Sequence, residues 1–159
     1  MAALHILAAL LYANLGEWLM HKYLLHGLGK KPGSIWGYHW HQHHRVCAEQ
    51  AMRDPGYSSL RWSWNAQTKE LAVLALIVTL HLPLAIDLPY FVLALYASLA
   101  LYYYKHRRAH LDPDWAKRHL PWHHEHHLQA GNGNWCVTWP WFDYVFGTRL
   151  RNWTGKPMN

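Results

Sequence analysis

Histidine is the residue type most able to carry chemistry in this chain, because it occurs 15 times in 159 residues. Only two histidines, His5 and His81, stand alone. The others fall into four groups: His21 and His26; His39, His41, His43 and His44; His106 and His110; His119, His123, His124, His126 and His127. Neutral imidazole is a strong ligand for iron, zinc and copper. The alternative is that the histidines are solvated surface residues or bind metal adventitiously. That would explain a lone histidine better than four groups, so the pattern predicts a metal site.

The spacing within these groups selects the candidate ligands. A helix presents side chains on one face at intervals of three and four residues, and only His41 of the second group points away from its neighbours. His21 and His26 are five residues apart, or about 140° on an ideal α-helix, which predicts that one of them lies at a frayed helix end. Ten ligands are favoured: His21, His26, His39, His43, His44, His106, His110, His123, His126 and His127. A single zinc takes about four ligands, so ten predict two metal ions.

Four further side chains are candidates to support these ligands from behind. Glu17 lies one helical turn before His21, and we expect it to accept a hydrogen bond from the second ring nitrogen of His21 or to reach interfacial water. The surplus histidines His41, His119 and His124 could support the ligating histidines, interact with substrate or transfer protons. Asp112 is expected to cap the following helix.

The elements that must position these residues are helices. Residues 2–26 form one long apolar helix with a histidine-bearing end, which we interpret as a retained membrane helix rather than a signal peptide. Residues 36–45 form a second, histidine-box helix. The apolar runs 71–86 and 90–104 predict a membrane hairpin over residues 71–104, and 105–159 form a polar cap. The expected fold is therefore a single all-α integral membrane domain, 1–159, with about three membrane segments.

The charge distribution places the histidines. The chain has a net charge of +6, and its Lys and Arg residues fall between Lys22 and Lys69 and between Lys105 and Lys156. Residues 1–20 and 71–104 contain none, an asymmetry that predicts cytosolic basic blocks and a histidine-rich cap on the cytosolic side. No basic soluble domain is evident, so nucleic-acid binding is not expected. Cys47 and Cys136 are expected to be free thiols.

Four ordered histidine boxes now carry a family resemblance: His-Lys-Tyr-Leu-Leu-His (21–26), His-Trp-His-Gln-His-His (39–44), His-Arg-Arg-Ala-His (106–110) and His-His-Glu-His-His (123–127). Together with the tail Asn134 to Thr138, Phe142-Asp143 and Phe146-Gly147-Thr148, they resemble the fatty acid hydroxylase/sterol desaturase superfamily, whose relatives include carotene hydroxylases. The resemblance covers about residues 17–150. Two departures are Cys136, where the family often has Gly, and the surplus histidine, which leaves His39 and His41 both open as ligand.

The resemblance implies a di-iron oxygenase that uses O₂ to hydroxylate, or alternatively desaturate, a fatty acyl, sterol or carotenoid substrate. Zinc could replace iron in purified protein. The chain shows no flavin, haem or nicotinamide motif, so electrons are expected from an acidic donor such as a ferredoxin or cytochrome b5. Two other functions stay open: a non-catalytic membrane metal-binding protein, and a structural protein with histidines as polar fillers.

Overall fold

The structure, a computed structural model, describes residues 1–59, 63–128 and 132–151, and within these ranges it contains helices and no strand. Residues 129–131 and 152–159 of the expected cap lie outside the described residues. The α-helices are α1 (Ala2–Leu19), α2 (Arg45–Glu49), α3 (Ala66–His81), α4 (Pro89–Leu111), α5 (Pro113–His119), α6 (Pro121–Leu128) and α7 (Trp141–Val145). Two π-helices, π1 (Met20–Leu28) and π2 (Tyr38–His44), and two short 3₁₀ turns complete the set. The expectation of an all-α fold is confirmed.

Helix α1 continues directly into π1, so that Ala2–Leu28 forms one rod of 27 residues that is long and apolar enough to cross a membrane. A span needs ~20 apolar residues. The rod ends at Gly29, where a Cβ atom would lie 1.9 Å from the carbonyl oxygen of Leu25 and 2.9 Å from that of Trp36. Only glycine lets the chain turn this closely back toward π2.

The second membrane element is a helical hairpin. Helix α3 and the 3₁₀ turn Leu82–Ala85 form a candidate span of 20 residues, Ala66–Ala85. Only 6% of its apolar 18-residue stretch is buried inside the protein. Helix α4 returns from Pro89, but Tyr102, Tyr103 and Tyr104 and then Lys105 end its apolar stretch early. Among the described residues, two helices therefore meet the length and hydropathy needed for a span, where the sequence predicted about three membrane segments.

The packing arranges these helices around a polar end. Helix α1 packs along α4, while π2 and the start of α3, α5 and α6 gather beyond the apolar part. Two small buried clusters hold this end together: Met52, Ala109, Ala116 and Leu120, and, beside α7, Trp18, Trp135 and Cys136. The apolar faces of α1, α3 and α4 stay largely exposed, as expected for surfaces that meet lipid.

Candidate metal centre

The ten favoured histidines lie together at the polar end of the bundle, and each is at most 4% exposed. Nine form two groups whose ring nitrogens lie within 4.8 Å of one another. We call the first group cluster 1 and the second cluster 2: His21, His26, His39, His44 and His126; His43, His106, His110 and His127. The tenth, His123, places its Nε2 atom 3.2 Å from Nε2 of His110 and so adjoins cluster 2.

The π-helices explain how the first two histidine boxes converge. In a π-helix the hydrogen bonds run from residue i to i+5, so residues five apart lie about one turn apart. His21 and His26 therefore share a face of π1, and both are buried. In π2 the same geometry sets His39 beside His44. His26 lies in the last turn of π1, as expected for one histidine of the first box, but that turn is hydrogen-bonded rather than frayed, and the expected divergence from His21 was wrong because it assumed α-helical rotation.

Two His-His dipeptides join the clusters. His43 and His44 are neighbours in π2, yet His44 belongs to cluster 1 and His43 to cluster 2. His126 and His127 of α6 divide in the same way. The rings of His44 and His127 stack with centroids 4.3 Å apart. The two clusters are therefore adjacent, and each dipeptide fixes their separation.

Backbone carbonyl oxygens orient three of the rings. The Nδ1 atoms of His21, His126 and His110 lie 2.6, 2.7 and 2.9 Å from the carbonyl oxygens of Trp135, Gly133 and Met52. A carbonyl oxygen can only accept, so each Nδ1 donates its proton and each Nε2 keeps a lone pair aimed into the cluster. Such acceptors behind a ligating imidazole fix its tautomer and orientation.

Two buried carboxylates lie against Nδ1 atoms of histidines in cluster 2 and orient their rings. Asp54 Oδ2 lies 2.9 Å from Nδ1 of His43, and Glu70 Oε1 lies 2.7 Å from Nδ1 of His106. Tyr57 donates to the other oxygen of Glu70 at 2.6 Å. None of these three residues was predicted from the sequence to support a ligand. Glu70 carried a usable signal, an acid at the start of an apolar membrane helix, since such groups are costly there unless they serve a function.

The donor set fits metal cations. Nδ1 of His110 donates to the Met52 carbonyl and Nδ1 of His106 lies 2.7 Å from the Glu70 carboxylate, yet the two Nε2 atoms are only 3.2 Å apart. Two lone pairs face each other there without a proton between them, and an intervening cation would resolve this contact. The buried Nε2 of His43 and both ring nitrogens of His127 also have no hydrogen-bond partner. Buried polar atoms of this kind need an explanation, and a metal site supplies one.

Burial also keeps these imidazoles in the ligating form. It removes the charged ring from water and lowers the pKa of His126 to about 4. Burial, with repulsion from neighbouring histidines, also lowers the pKa values of five other rings at the polar end well below their usual range: His39, His44, His110, His123 and His127. These histidines are neutral at pH 7, and neutral imidazole is the form that binds metal.

A third group, His43, Cys47 and Asp54, has ligating atoms equally close together. The Nδ1 atom of His43 is already engaged by Asp54, and burial raises the pKa of the Cys47 thiol well above its usual value. Metal ligation by cysteine requires the thiolate. This group therefore supports cluster 2 rather than forming a separate site.

Residues 133–138 form the backbone strap of cluster 1, since they supply the carbonyl oxygens that hold His21 and His126. Asn134 lies between those carbonyls with φ +57°, a left-handed conformation that asparagine tolerates. Asp143 fixes the strap by accepting from the amides of Trp135 and Cys136. Cys136 itself has no positive φ, so glycine's freedom is not needed there.

Glu17 has a different role from the one expected. Its carboxylate accepts from the backbone amides of Val137 and Thr138 at 3.0 Å and from the Thr138 hydroxyl at 2.5 Å. It does not hold the ring of His21, because the Trp135 carbonyl occupies Nδ1. Glu17 thus anchors the strap, and it positions the ring of His21 through the strap rather than by the direct hydrogen bond expected from the sequence.

The surplus histidines lie outside both clusters. His41 is exposed on π2, and exposed His119 stacks on Trp115. His124 is half-buried on α6, where burial and the charge of Lys117 lower its pKa. Asp112 accepts from the amide of Trp115 at 2.9 Å and caps α5, which confirms the capping prediction.

An apolar cavity of about 300 Å³ adjoins the centre between α1, α3 and α4. Its walls are mostly apolar side chains such as Leu74, Leu95 and Leu99. His21 of cluster 1 and Glu70 beside cluster 2 form part of the wall at the polar end. An apolar molecule in this cavity would therefore meet the part of the wall that adjoins the two clusters.

The fold and the site together define a class: an all-helical membrane protein with a buried polyhistidine site able to hold metal ions. The chain belongs to the fatty acid hydroxylase family, whose sequence model matches residues 6–148. This confirms the family resemblance. Comparisons with curated proteins and with solved structures gave no significant match.

Proposed function

We propose that this protein is an O₂-dependent hydroxylase of a long apolar lipid, with one iron ion bound by cluster 1 and a second by cluster 2. The observation that supports this most strongly is the pair of adjoining clusters of buried histidines at the end of an apolar cavity. Imidazole ligation suits iron. His39 rather than the exposed His41 completes cluster 1 in this proposal.

The protein's own residues would bind and shield the substrate. Apolar side chains of α1, α3 and α4 hold the lipid, and His21 and Glu70 mark the wall that its reacting C–H bond meets. Exclusion of water from such a site prevents side reactions of a strong oxidant. The irons would supply O₂ activation. The overall reaction converts a C–H bond, O₂, two electrons and two protons into C–OH and water.

The proposed electron source is an external acidic carrier such as a ferredoxin or cytochrome b5. The proposed orientation places the histidine clusters on the cytosolic side, because Lys and Arg residues occupy that end of the chain's helices. The lipid would then enter from the membrane, while electrons arrive from the aqueous face.

The first test is metal stoichiometry after anaerobic Fe(II) loading. Wild type is expected to bind two irons per chain. His26→Ala, in cluster 1, and His110→Ala, in cluster 2, are each expected to lose about one iron, because each removes a ligand from one cluster only. The matched control is His119→Ala, an exposed histidine outside both clusters, which is expected to keep both irons.

The second test is a single turnover of the Fe(II)-loaded protein with ¹⁸O₂ and a membrane lipid extract. A lipid that gains one ¹⁸O atom supports hydroxylation, whereas loss of two hydrogens without added oxygen would show desaturation. Equal iron content in the wild type and both cluster variants would contradict the dinuclear site. Two irons with no oxidised lipid would favour a metal-binding protein.

A further inference from the structure

One aromatic side chain connects cluster 1 with the polar surface. Four aromatic residues contact the clustered rings within the described part of the chain: Trp40, Tyr57, Tyr102 and Trp135. Tyr57 and Trp135 are buried, and Tyr102 lines the apolar cavity. Trp40 alone of these four is half-buried on the polar side, and it lies between the exposed surface of π2 and the metal centre.

The contact of Trp40 with cluster 1 is direct. Its ring centroid lies 5.2 Å from that of His26 and 5.3 Å from that of His44. Electron tunnelling through protein weakens steeply with distance, so an aromatic ring in contact with two ligands shortens the path from a surface carrier. No comparable ring connects cluster 2 with the polar surface among the described residues.

One cation contacts this ring, and two more exposed cations lie near it in sequence. Lys30 places its Nζ atom 4.2 Å from the Trp40 ring centroid. Lys31 and Arg45 are exposed nearby in sequence, before and after π2. Residues 18–48 contain no Asp or Glu, and the next acid along the chain, Glu49, lies four residues after Arg45 on α2, so Lys30 and Lys31 have no acidic neighbour in this segment. Such a patch attracts an acidic protein and speeds its association at low salt.

We propose that Trp40, Lys30, Lys31 and Arg45, here called the Trp40 surface, dock an acidic one-electron carrier protein and pass its electrons through Trp40 to cluster 1. This rests on the proposed function, which requires two electrons for each O₂. At each docking the carrier is oxidised by one electron and the bound metal centre is reduced by one electron. Two dockings supply the pair consumed when O₂ yields one C–OH group and one water.

The docking step is tested by binding. The probe is the soluble, acidic haem domain of a cytochrome b5, titrated against metal-free and zinc-loaded protein in detergent at low salt. Reversing two charges with Lys30→Glu/Lys31→Glu is expected to weaken binding about tenfold or more, an effect that fades as salt screens the charges. The matched control is Lys117→Glu/Arg118→Glu on exposed α5, which changes net charge equally and is expected to alter binding less than twofold.

The electron path is tested by stopped-flow oxidation of the reduced haem domain by ferric, iron-loaded protein at saturating carrier. Trp40→Leu is expected to slow transfer at least tenfold, and Trp40→Phe, which keeps a smaller ring, by a few-fold. Iron content is measured in each variant. If Trp40→Leu loses iron, the electron-transfer rates of wild type and Trp40→Phe decide whether the ring at position 40 carries the electrons.

Two results would overturn the proposal: equal weakening by both charge reversals, or equal transfer rates with Trp, Phe and Leu at position 40. These outcomes are separate from a failure of the proposed function. Absence of iron binding would remove the hydroxylase, whereas the binding titration on metal-free protein would still show whether the Trp40 surface recognises an acidic carrier.

Discussion

Glu70 occupies the boundary between the metal centre and the apolar cavity. Its carboxylate contacts Nδ1 of His106 and accepts from Tyr57, and its side chain also forms part of the cavity wall. A negative charge behind an imidazole raises the basicity of the ligating nitrogen. Glu70 is therefore placed to strengthen metal binding at cluster 2 without being a ligand itself.

Replacing this charge should weaken cluster 2 selectively. We expect Glu70→Gln to lower the affinity of the second metal by about 10- to 100-fold, the usual effect of losing such a partner. A competition titration with a chelator measures this, and the first metal should be unaffected. Glu49→Gln, an exposed acid on α2, is the control. Equal affinities for Glu70→Gln and wild type would show that Glu70 does not act through His106.

Backbone strain accompanies another support of cluster 2. The carbonyl oxygen of Met52 holds His110, and it follows a left-handed turn in which Ala51 has φ +48° and Met52 has φ +75°. Left-handed backbone costs a non-glycine residue roughly 1–2 kcal/mol. The buried Met52 side chain fills the core beside Ala109, so this strain is offset by packing and by the contact with His110.

Relieving the strain at the exposed position should stabilise the protein. We expect Ala51→Gly to raise the free energy of unfolding by about 0.5–1 kcal/mol, since the relieved strain exceeds the added entropy of the unfolded chain. Ala48→Gly, in α2 three residues earlier, should lower it by about 0.5–1 kcal/mol, as glycine does within helices. Thermal unfolding in one detergent compares them. A decrease for both variants would argue against strain at Ala51.

At the scale of elements, the π-helices decide how the first two histidine boxes are oriented. His21 and His26 would point in different directions on an α-helix, and the π-helical turn of π1 brings them to one face. π-Helical segments are rare and frequently occur at functional sites. The box spacing and the helix type are therefore matched to each other.

This match predicts that deleting one residue between His21 and His26 and inserting one there have different effects on iron binding at cluster 1. Deleting the exposed Tyr23 would leave the two histidines four residues apart, a spacing that shares one face of an ordinary α-helix. We expect this variant to keep most of the iron at cluster 1. Inserting one alanine after Tyr23 makes the spacing six, which fits neither helix, and should lose that iron. Tyr23→Ala is the control for the side chain.

Iron stoichiometry and the free energy of unfolding distinguish these variants. The predicted order of iron content is Tyr23→Ala, then the deletion, then the insertion. Iron loss by the deletion as complete as that by the insertion would show that π1 is needed for more than the spacing of its histidines.

At the scale of the whole molecule, the helices of the membrane part leave a space beside the centre. Helix α1 packs along α4, and the cavity lies between α1, α3 and α4 with its polar end at His21 and Glu70. A lipid could reach this space from the bilayer without passing through water. The same packing leaves the clusters themselves fully buried.

Filling the cavity should separate substrate binding from metal binding. We expect Leu99→Trp, which enlarges a side chain in the cavity wall, to lower O₂-dependent lipid oxidation at least tenfold with both irons retained. Leu93→Trp, on the same helix and 69% exposed, is the control and should keep its activity. Product yield and iron content are measured together. Full activity in Leu99→Trp would place the substrate elsewhere.

The sequence by itself determined the helical class, the apolar helices and the family. These features depend on local periodicity, apolar length and the order of the histidine boxes, all of which can be observed along the chain. The ten histidines chosen by spacing are also those that the structure brings together. The sequence could not divide them between two clusters, because that division depends on contacts such as His26 with His126, which are 100 residues apart.

Only the tertiary structure decided what stands behind the histidines. The carbonyl oxygens of Met52, Gly133 and Trp135 are present in every residue type, so no side-chain signal announces them. The same holds for Glu17, whose helical spacing indicated His21 but whose carboxylate meets amides more than 100 residues away. Local spacing states which groups can share a face, whereas long-range packing selects the partner that each buried group satisfies.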